Sequence, residues 1–182
     1  MFGRRGFEGT SLRAIAKAVG IRSPSLLYHF RNKEALRLAV LGSVLDHWKE
    51  ELPRLLYSRG KGDVFDGLLA AVVGFFSEDP SKALLVVREM IDRPVAVKQM
   101  LAEHLRPWTT LLADAIRLGQ ERGTVRAEVD PEAYVVQVVT MALGTVAVGD
   151  VTAAMVDMNE SEATDRSVRE MARVGRTALY AA

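Results

Sequence analysis

The stretch "IRSPSLLYHFRNKEAL" (residues 21–36) contains the start signals of two successive helices. Pro24 suits the first turn of a helix, where its missing N–H is not needed, and Ser23 is expected to cap that turn. Asn32 is expected to cap a second helix, which opens with Lys33 and continues as far as Pro53. The stretch therefore predicts a short helix followed at once by a much longer one.

A further helix is predicted just upstream of this stretch. Its apolar residues recur at the i, i+3, i+4, i+7 spacing of an α-helix, at Leu12, Ile15, Ala16 and Val19. Thr10 or Ser11 can cap its start, and Gly20 can adopt the left-handed conformation that ends such a helix. Two short helices separated by a tight, glycine-bearing turn are therefore expected.

The short helix over 24–30 divides into two faces on a helical wheel. The face expected to pack inward carries Leu26, Leu27 and Phe30, and the face expected to point outward carries Ser25, Tyr28 and His29. A helix that follows another across a tight turn forms the helix-turn-helix arrangement, in which the second helix lies in the DNA major groove. Hydroxyl and imidazole groups can bind base edges or phosphates there. An ordinary antiparallel helix pair with a polar outer face accounts for the same wheel.

Charge is distributed unevenly along the 182 residues. The first 37 residues contain eight basic and two acidic side chains, a net charge of +6, so the remainder carries −5 of the total of +1. A basic head on a mildly acidic body is expected when only the head meets a polyanion such as DNA. A solvated basic face is the simpler explanation of the charge taken alone.

The rest of the chain predicts an all-α protein, because alternating runs of β-branched and aromatic residues are missing. After the polar, glycine-bearing stretch 58–63, prolines at 80, 94, 107 and 131 divide the sequence into segments. Helices are predicted near 63–77, 80–91, 94–105, 107–122, 131–149 and 160–180. The apolar segment 133–149 has 17 residues, fewer than the about 20 that span a bilayer, so we expect a buried helix and no membrane contact.

Several classes of function lack their sequence signatures. The chain has no cysteine, so disulfides, thiol catalysis and cysteine-ligated zinc are excluded, and the first residues do not resemble a secretory leader. The phosphate-loop and dinucleotide glycine motifs are absent, and the three histidines lie far apart in sequence. We therefore expect neither an enzyme nor a bound metal or cofactor, and we expect a cytoplasmic protein.

Residues 6–36, "GFEGTSLRAIAKAVGIRSPSLLYHFRNKEAL", resemble the DNA-binding signature of the tetracycline-repressor (TetR) family of bacterial transcriptional regulators. That signature places Gly-aromatic before the first motif helix, Thr-Ser at its cap, Ile-Ala inside it and Gly-aliphatic in the turn. It continues with Leu-aromatic-x-His-Phe in the recognition helix and Lys-Glu-x-Leu at the start of the next. The matching residues here are Gly6, Phe7, Thr10, Ser11, Ile15, Ala16, Gly20, Ile21, His29, Phe30, Lys33, Glu34 and Leu36.

Two departures from the family pattern are visible. The aromatic residue that contacts phosphate in the family would fall at Leu27, whereas this chain has Tyr28 one position later. Family members also have a complete helix before the motif, and here the match starts in its last turn, at Met1 and Phe2. A head that lacks most of its first helix is expected to expose apolar surface on Ile15, Leu26 and Phe30.

The resemblance implies a helix-turn-helix DNA-binding domain at 1–45, N-terminally incomplete, and an all-helical effector-binding and dimerisation domain at 46–182. The residues expected to contact DNA are Thr10, Ser11, Arg22, Ser23, Ser25, Tyr28, His29 and Lys33. A small, apolar or amphipathic effector is expected to contact Phe75, Phe76, Met90, Met100, His104, Trp108 and Met141, with His104 and Trp108 ranked first. The last two predicted helices are expected to form the dimer interface through Val138, Met141, Ala142, Val146, Met171 and Val174. Packing within one chain explains the same residues nearly as well.

The resulting hypothesis is a homodimeric repressor that binds a palindromic operator in double-stranded DNA and is released by a small-molecule effector. The alternative is a ligand-binding or scaffold helical dimer that has lost DNA binding, with which an incomplete head is consistent.

Overall fold

The structure, a computed structural model, describes residues 1–57 and 64–180. No strand occurs within these two ranges, so the prediction of an all-α protein is confirmed. The helices of the described ranges are α1 (Phe2–Arg5), α2 (Leu12–Ala18), α3 (Ser23–His29), α4 (Lys33–Tyr57), α5 (Val64–Glu78), α6 (Pro80–Asp92), α7 (Pro94–Glu121), α8 (Pro131–Ala147), α9 (Gly149–Ala153) and α10 (Glu160–Leu179). The predicted polar stretch at 58–63 lies outside the described residues.

The predicted helix boundaries around the short helices are largely confirmed. The Ser11 hydroxyl caps α2 by accepting a hydrogen bond from the Ala14 amide at 3.1 Å, and Asn32 Oδ1 accepts one from the Ala35 amide at 2.8 Å at the start of α4. Gly20 has a φ of 74°, the left-handed conformation that closes the turn after α2. The expected side-chain cap at Ser23 is wrong, because α3 already begins at Ser23 and Arg22 occupies the N-cap without a side-chain bond.

Two prolines that were expected to end helices lie inside them. Pro53 is within α4, which continues to Tyr57, and Pro107 is within α7, which joins the predicted helices 94–105 and 107–122 into one. An internal proline costs about 3 kcal/mol or more in lost backbone bonding. In α7 the apolar stripe continues through the proline without a change of face, at Val97, Leu101, Leu105, Trp108, Leu112 and Ile116, and packing of that stripe offsets the cost.

The body of the protein is organised around α8, which packs against α5, α6, α7 and α10. Its core is continuous from Leu41 on α4 to Leu179 at the end of α10. The prediction of one helix over 131–149 is wrong at its end, since α8 stops at Ala147 and the short α9 follows. Among the described residues, no helix is both long and apolar enough to cross a membrane.

The head consists of α1, α2, α3 and the first turns of α4, and α4 continues without a break across the predicted domain boundary at 45/46. The buried residues of its core, which we call the head core, are Phe2, Ala16, Leu26, Leu36 and Leu85. Four of these lie in the head, but Leu85 belongs to α6 of the body. The head is therefore completed by a residue contributed by the body.

The contact of α1 with α6 is close enough to require a glycine. A Cβ atom on Gly3 would lie 2.3 Å from the Ser81 carbonyl oxygen, so a side chain there would push the two helices apart. The expectation of exposed apolar surface is wrong for Leu26, which is 5% exposed, while Ile15 and Phe30 are half-buried. Phe2 and Leu85 cover this part of the head in the structure.

Candidate nucleic-acid interface and effector cavity

The outer face of α3 carries the three polar side chains that the wheel placed there. Ser25, Tyr28 and His29 are all exposed, and Tyr28 is the most accessible of them, at 87%. The Tyr28 and His29 rings contact each other edge to face, with centroids 5.2 Å apart. Hydroxyl, phenol and imidazole groups thus stand together on one free helix surface, which suits contacts with phosphates and base edges.

The inward face of α3 is narrower than the wheel predicted. Leu26 is buried and Phe30 is half-buried, but Leu27 is 47% exposed, so its assignment to the inward face is wrong. A helix of seven residues buries only the side chains directly above its neighbour, and Leu27 lies at the edge of that contact. Leu27 thus adds an exposed apolar side chain beside Tyr28.

Apart from Lys33, four predicted DNA contacts remain, of which three reach the surface and one does not. Ser11 and Arg22 are exposed and Ser23 is half-buried at the start of α3. Thr10 is only 1% exposed, and its hydroxyl donates a hydrogen bond to the Gly6 carbonyl at 2.7 Å. The expectation of a Thr10 side-chain contact with DNA is therefore wrong, because this hydroxyl already bonds within the turn before α2.

Lys33 lies at the edge of the same surface and is held by the head itself. Its Nζ donates a hydrogen bond to the Phe7 carbonyl at 2.9 Å and sits 4.1 Å from the centroid of the Phe7 ring. The guanidinium of Arg93, at the start of α7, lies 4.1 Å from the same centroid. Phe7 therefore fixes two cations by cation–π attraction, and an ammonium group has three donors, so Lys33 keeps capacity for a phosphate.

A buried ion-pair network connects the head to the body. Arg37 on α4 is completely buried and pairs with Glu89 on α6, whose side chain is 7% exposed. It also binds Glu34, with a hydrogen bond from Arg37 Nε to Glu34 Oε2 of 3.2 Å. Arg93 Nη1 reaches the same Glu34 oxygen at 3.2 Å. One guanidinium thus ties the first turns of α4 to α6, and the charges compensate one another inside the protein.

The ion-pair network lowers the pKa of Glu34, the carboxylic acid at its exposed edge. The hydrogen bond from Arg37 holds the pKa of Glu34 below its ordinary value of 4.5; partial burial opposes this effect, and the charges of Arg37 and Arg93 add to it. Glu34 is therefore a carboxylate at neutral pH, as the two arginines beside it require.

A cavity of about 400 Å³ lies in the body between α4, α5, α6, α7 and α8, and we call it the central cavity. Of the seven residues expected to line an effector site, Phe76, Met90 and Trp108 do line it. Its other walls are mainly aliphatic and indole groups, including Leu45, Trp48, Val86, Leu101 and Leu143. An apolar cavity of this size falls within the range of small-molecule sites in proteins.

The other four residues predicted for the effector site do not line this cavity. His104, ranked first with Trp108, faces α4: its Nε2 lies 3.3 Å from Asp46 Oδ1, and its Nδ1 lies 2.8 Å from the Met100 carbonyl oxygen. The Phe75 ring stacks on His47 at 4.1 Å. Met100 and Met141 pack against the body core. None of these four residues lines the central cavity, and for His104 the reason is its contact with Asp46 of α4.

A second cavity, of about 290 Å³, was not predicted, and we call it the distal cavity. It lies between α5, α7, α8 and the end of α10, with Arg122, Tyr134 and Tyr180 among its lining residues. The loop after α7 closes it, since Val125 forms a β-bridge with Tyr180. No local pattern in the sequence marks this cavity, because it depends on how the ends of three helices meet.

The predicted dimer residues divide into buried and accessible ones. Ala142, Val146 and Met171 are buried in the core of their own chain, so their assignment to an interface is wrong and packing within the chain is the correct explanation. Val138 and Met141 are half-buried against the same core, and Val174 is 42% exposed. Further exposed apolar side chains in this part of the body are Val136, Val148, Val151, Met155 and Val156.

No group of three or more histidine, cysteine or acidic side chains that could hold a metal ion occurs within residues 1–57 and 64–180. Neither the head surface nor the two cavities therefore offers, among the described side chains, a ligand set of the kind that binds zinc or calcium.

Comparison with known proteins places this architecture in a family. Residues 1–40 match the family of bacterial regulatory proteins, tetR family, and residues 84–163 match the tetracyclin repressor-like C-terminal domain. The chain belongs to the TetR family. The first match lies on the head and the second lies on the body.

Individual members of the TetR family resemble different parts of the chain. The HTH-type transcriptional regulator RutR of Escherichia coli (strain K12) is 49% identical over 47 residues, which is 26% of this chain and 22% of RutR. The biofilm operon icaADBC HTH-type negative transcriptional regulator IcaR of Staphylococcus epidermidis is 25% identical over 116 residues, 64% of this chain and 61% of IcaR. The match thus spans about a fifth of RutR and about three-fifths of IcaR.

The whole fold recurs in solved structures. A TetR transcriptional regulator from Chloroflexus aurantiacus J-10-FL superposes with a TM-score of 0.67 and 19% identity, covering 100% of this chain and 91% of the other. The arrangement of the helical head and body is therefore that of the TetR fold.

Proposed function

We propose that this TetR-family protein is a DNA-binding transcriptional repressor that acts as a homodimer and is released from its operator by a small molecule. The observation that carries the proposal is the exposed outer face of α3, where Ser25, Tyr28 and His29 stand free. Binding to duplex DNA explains why a short helix presents these side chains on a head whose net charge is +6.

Arg22 and Lys33 flank that face and supply the charge that phosphates require. Arg22 is exposed at the N-cap of α3, so its guanidinium can reach a backbone phosphate while α3 occupies the major groove. Lys33 is held in place by Phe7, so it can position the head without first losing conformational entropy. These two residues orient the head, and the α3 side chains determine the base sequence.

Dimerisation is proposed because one head contacts too few base pairs to be specific. Two-fold symmetric dimers bind half-sites about 34–36 Å apart, or multiples of this distance. The accessible apolar side chains around α9 and α10, such as Val151 (68% exposed), Met155 (82% exposed) and Val174, are the residues we propose for the subunit contact. They replace the buried residues that the sequence had suggested.

Release by an effector is proposed to work through α6. Val86 and Met90 on α6 line the central cavity, and Glu89 between them pairs with buried Arg37 at the base of the head. A molecule that fits the cavity better when α6 is displaced would increase the fraction of protein with α6 displaced. That displacement would change the angle between the heads. The ion pair transmits this displacement because neither charge can be left unpaired inside the protein.

The proposal is tested by electrophoretic mobility shift with the DNA upstream of the protein's own gene at 50 and 200 mM salt. Binding that weakens about 10³-fold or more over this range indicates multiple phosphate contacts. Arg22→Gln should weaken binding and reduce the salt slope by about one, whereas Lys98→Gln, an exposed change on α7, should alter neither.

The second candidate, a helical dimer without DNA binding, makes the opposite prediction in the same assay. It would show no shift at 50 mM salt with this DNA or with fragmented genomic DNA, although the protein is folded and dimeric by light scattering. That result would replace the repressor proposal.

A further inference from the structure

The central and distal cavities share part of their walls. Five residues line both of them: Leu68, Val72, Leu112, Val135 and Val139. The two cavities, of about 400 and 290 Å³, therefore adjoin along these five aliphatic side chains. We call the shared residues the junction.

We propose that the two cavities join across the junction into one elongated apolar space, and that this space holds a single elongated anionic amphiphile of the fatty-acid type, with its carboxylate at Arg122 in the distal cavity and its tail in the central cavity. The inference rests on the proposed function, because it names the chemical class of the effector. It also specifies which end of the ligand lies closest to the DNA-binding heads.

The length of the space favours a chain over a compact molecule. The helix α7 lines it from Leu101 to Arg122, and at a rise of 1.5 Å per residue this part of the helix spans about 30 Å. A compact ligand would fill one chamber and leave the other empty. A flexible alkyl chain can pass the junction and remove apolar surface from water in both chambers, at about 0.8 kcal/mol per buried CH₂.

The charge of the lining favours an anionic head group. Arg106 and Arg122 are the charged residues among the described lining residues, and no aspartate or glutamate is present among them. Transfer of an unpaired cation into such a site would be costly, whereas a carboxylate can pair with an arginine.

The orientation follows from where the two arginines lie. The hydroxyls of both cavities already donate within the protein, Thr124 to the Gly119 carbonyl at 3.1 Å in the distal cavity and Thr140 to the Val136 carbonyl at 2.8 Å in the central one. Arg122 lies at one end of the part of α7 that lines the two cavities, whereas Arg106 lies among the residues that line the central cavity. A chain whose carboxylate pairs with Arg122 can therefore extend through both cavities, with its tail in the central one.

This orientation makes chain length matter for regulation. The far end of the central cavity is lined by Leu45 and Trp48 on α4 and by Met90 on α6, beside the Glu89–Arg37 pair. A short acid would occupy only the distal cavity and would not reach these helices. Only a chain that passes the junction contacts the helices that carry the heads.

The test uses purified, delipidated protein and saturated fatty acids of 8, 12 and 16 carbons below their critical micelle concentrations. Isothermal titration calorimetry should show tighter binding with each increase in length, and hexadecyltrimethylammonium should not bind. Arg122→Gln should weaken all three acids at least 10-fold, while Arg106→Gln should change each less than 2-fold. The reverse pattern for the two arginines would overturn the proposed orientation.

The junction is tested by Val139→Phe, which narrows the passage between the chambers. It should weaken the 16-carbon acid at least 10-fold and leave the 8-carbon acid within 2-fold. Val95→Phe is the matched control, because Val95 is 87% exposed at the start of α7 and lines neither cavity. Thermal unfolding confirms that each variant is folded, and equal loss for both acids in Val139→Phe would contradict a through-going space.

DNA binding measured in parallel separates the two proposals. The 16-carbon acid should release DNA at concentrations where the bound 8-carbon acid does not. Acids that bind with the expected pattern but leave DNA bound would support the ligand class and contradict effector release. DNA binding without any binding of these acids would overturn the ligand class and leave the repressor proposal intact.

Discussion

The head and the body achieve their stability in different ways. The body has a continuous core that runs through α4 to α8 and α10, whereas the head core has five buried residues and takes one of them, Leu85, from α6. The head is also tied to the body by the Arg37–Glu89 pair and by the close approach of Gly3 to Ser81. A head that depends on α6 in three ways will respond to any movement of α6, which is what a ligand-controlled DNA-binding domain requires.

The strongest prediction concerns the ion pair between head and body. Arg37→Met leaves Glu89 buried without its partner and should destabilise the protein by about 3–5 kcal/mol in urea unfolding. Arg37→Met combined with Glu89→Leu should recover much of that loss, because no unpaired charge then remains at Glu89. Arg173→Met breaks an exposed pair with Glu170 on α10 and should leave the free energy of unfolding close to that of the wild type. A similar cost for Arg37→Met and Arg173→Met would mean that the buried pair does not support the head.

The shared residue of the head core gives the second prediction. Leu85→Ala should cost about 2–5 kcal/mol, since it removes a buried side chain and leaves a cavity between α6 and the head. Leu111→Ala on α7, where Leu111 is 46% exposed, should stay within about 0.5 kcal/mol of the wild type. Hydrogen exchange should show faster exchange in α2 and α3 for Leu85→Ala. Faster exchange confined to the body would show that the head does not depend on Leu85.

Helix caps provide a smaller and matched comparison of the two regions. Ser11 caps α2 in the head and Asp130 caps α8 in the body, each through one side-chain hydrogen bond of 3.1 and 2.9 Å. Replacement of either by alanine should cost about 1 kcal/mol in thermal unfolding. Ser11→Ala should in addition raise the hydrogen-exchange rate of the α2 amides more than that of the body amides, because the head has the smaller core.

The smallest expected effect is the pH dependence of the network. Because the pKa of Glu34 is lowered in the folded protein, its stabilisation is present above the ordinary value of 4.5 and is lost as the pH falls through the lower, folded pKa. Glu34→Gln should therefore flatten the decline of melting temperature below about pH 4.5, whereas Glu78→Gln, an exposed change on α5, should not. An unchanged decline in Glu34→Gln would exclude Glu34 from the acid response.

The head could be predicted from the sequence in more detail than the body, because its signals are local. The caps at Ser11 and Asn32, the turn at Gly20 and the outward Tyr28 all depend on residues within one or two turns. The failures in the head have two causes. The Thr10 hydroxyl is engaged locally by the Gly6 carbonyl, whereas Leu26 is covered by residues such as Leu85, which is 59 positions away in the chain.

The sequence predicted that the body is helical, but it did not predict most of the residues that line the two cavities. Pro53 and Pro107 do not break their helices, because tertiary packing outweighs the local cost. Helical spacing placed His104 and Trp108 on one face, yet only Trp108 reaches the central cavity, since α4 covers His104. The distal cavity forms where α7, α8 and α10 meet, and no pattern within one helix indicates such a meeting point.

The central claim is that the exposed face of α3 binds duplex DNA, and affinity purification of fragmented genomic DNA by the whole protein tests it most directly. The wild type should enrich palindromic sites. The triple variant Ser25→Ala, Tyr28→Ala, His29→Ala should enrich none, with unchanged thermal stability, since each good base contact contributes about 1–3 kcal/mol. No enrichment by the wild type at 50 mM salt, or the same sites enriched by the triple variant, would contradict the claim.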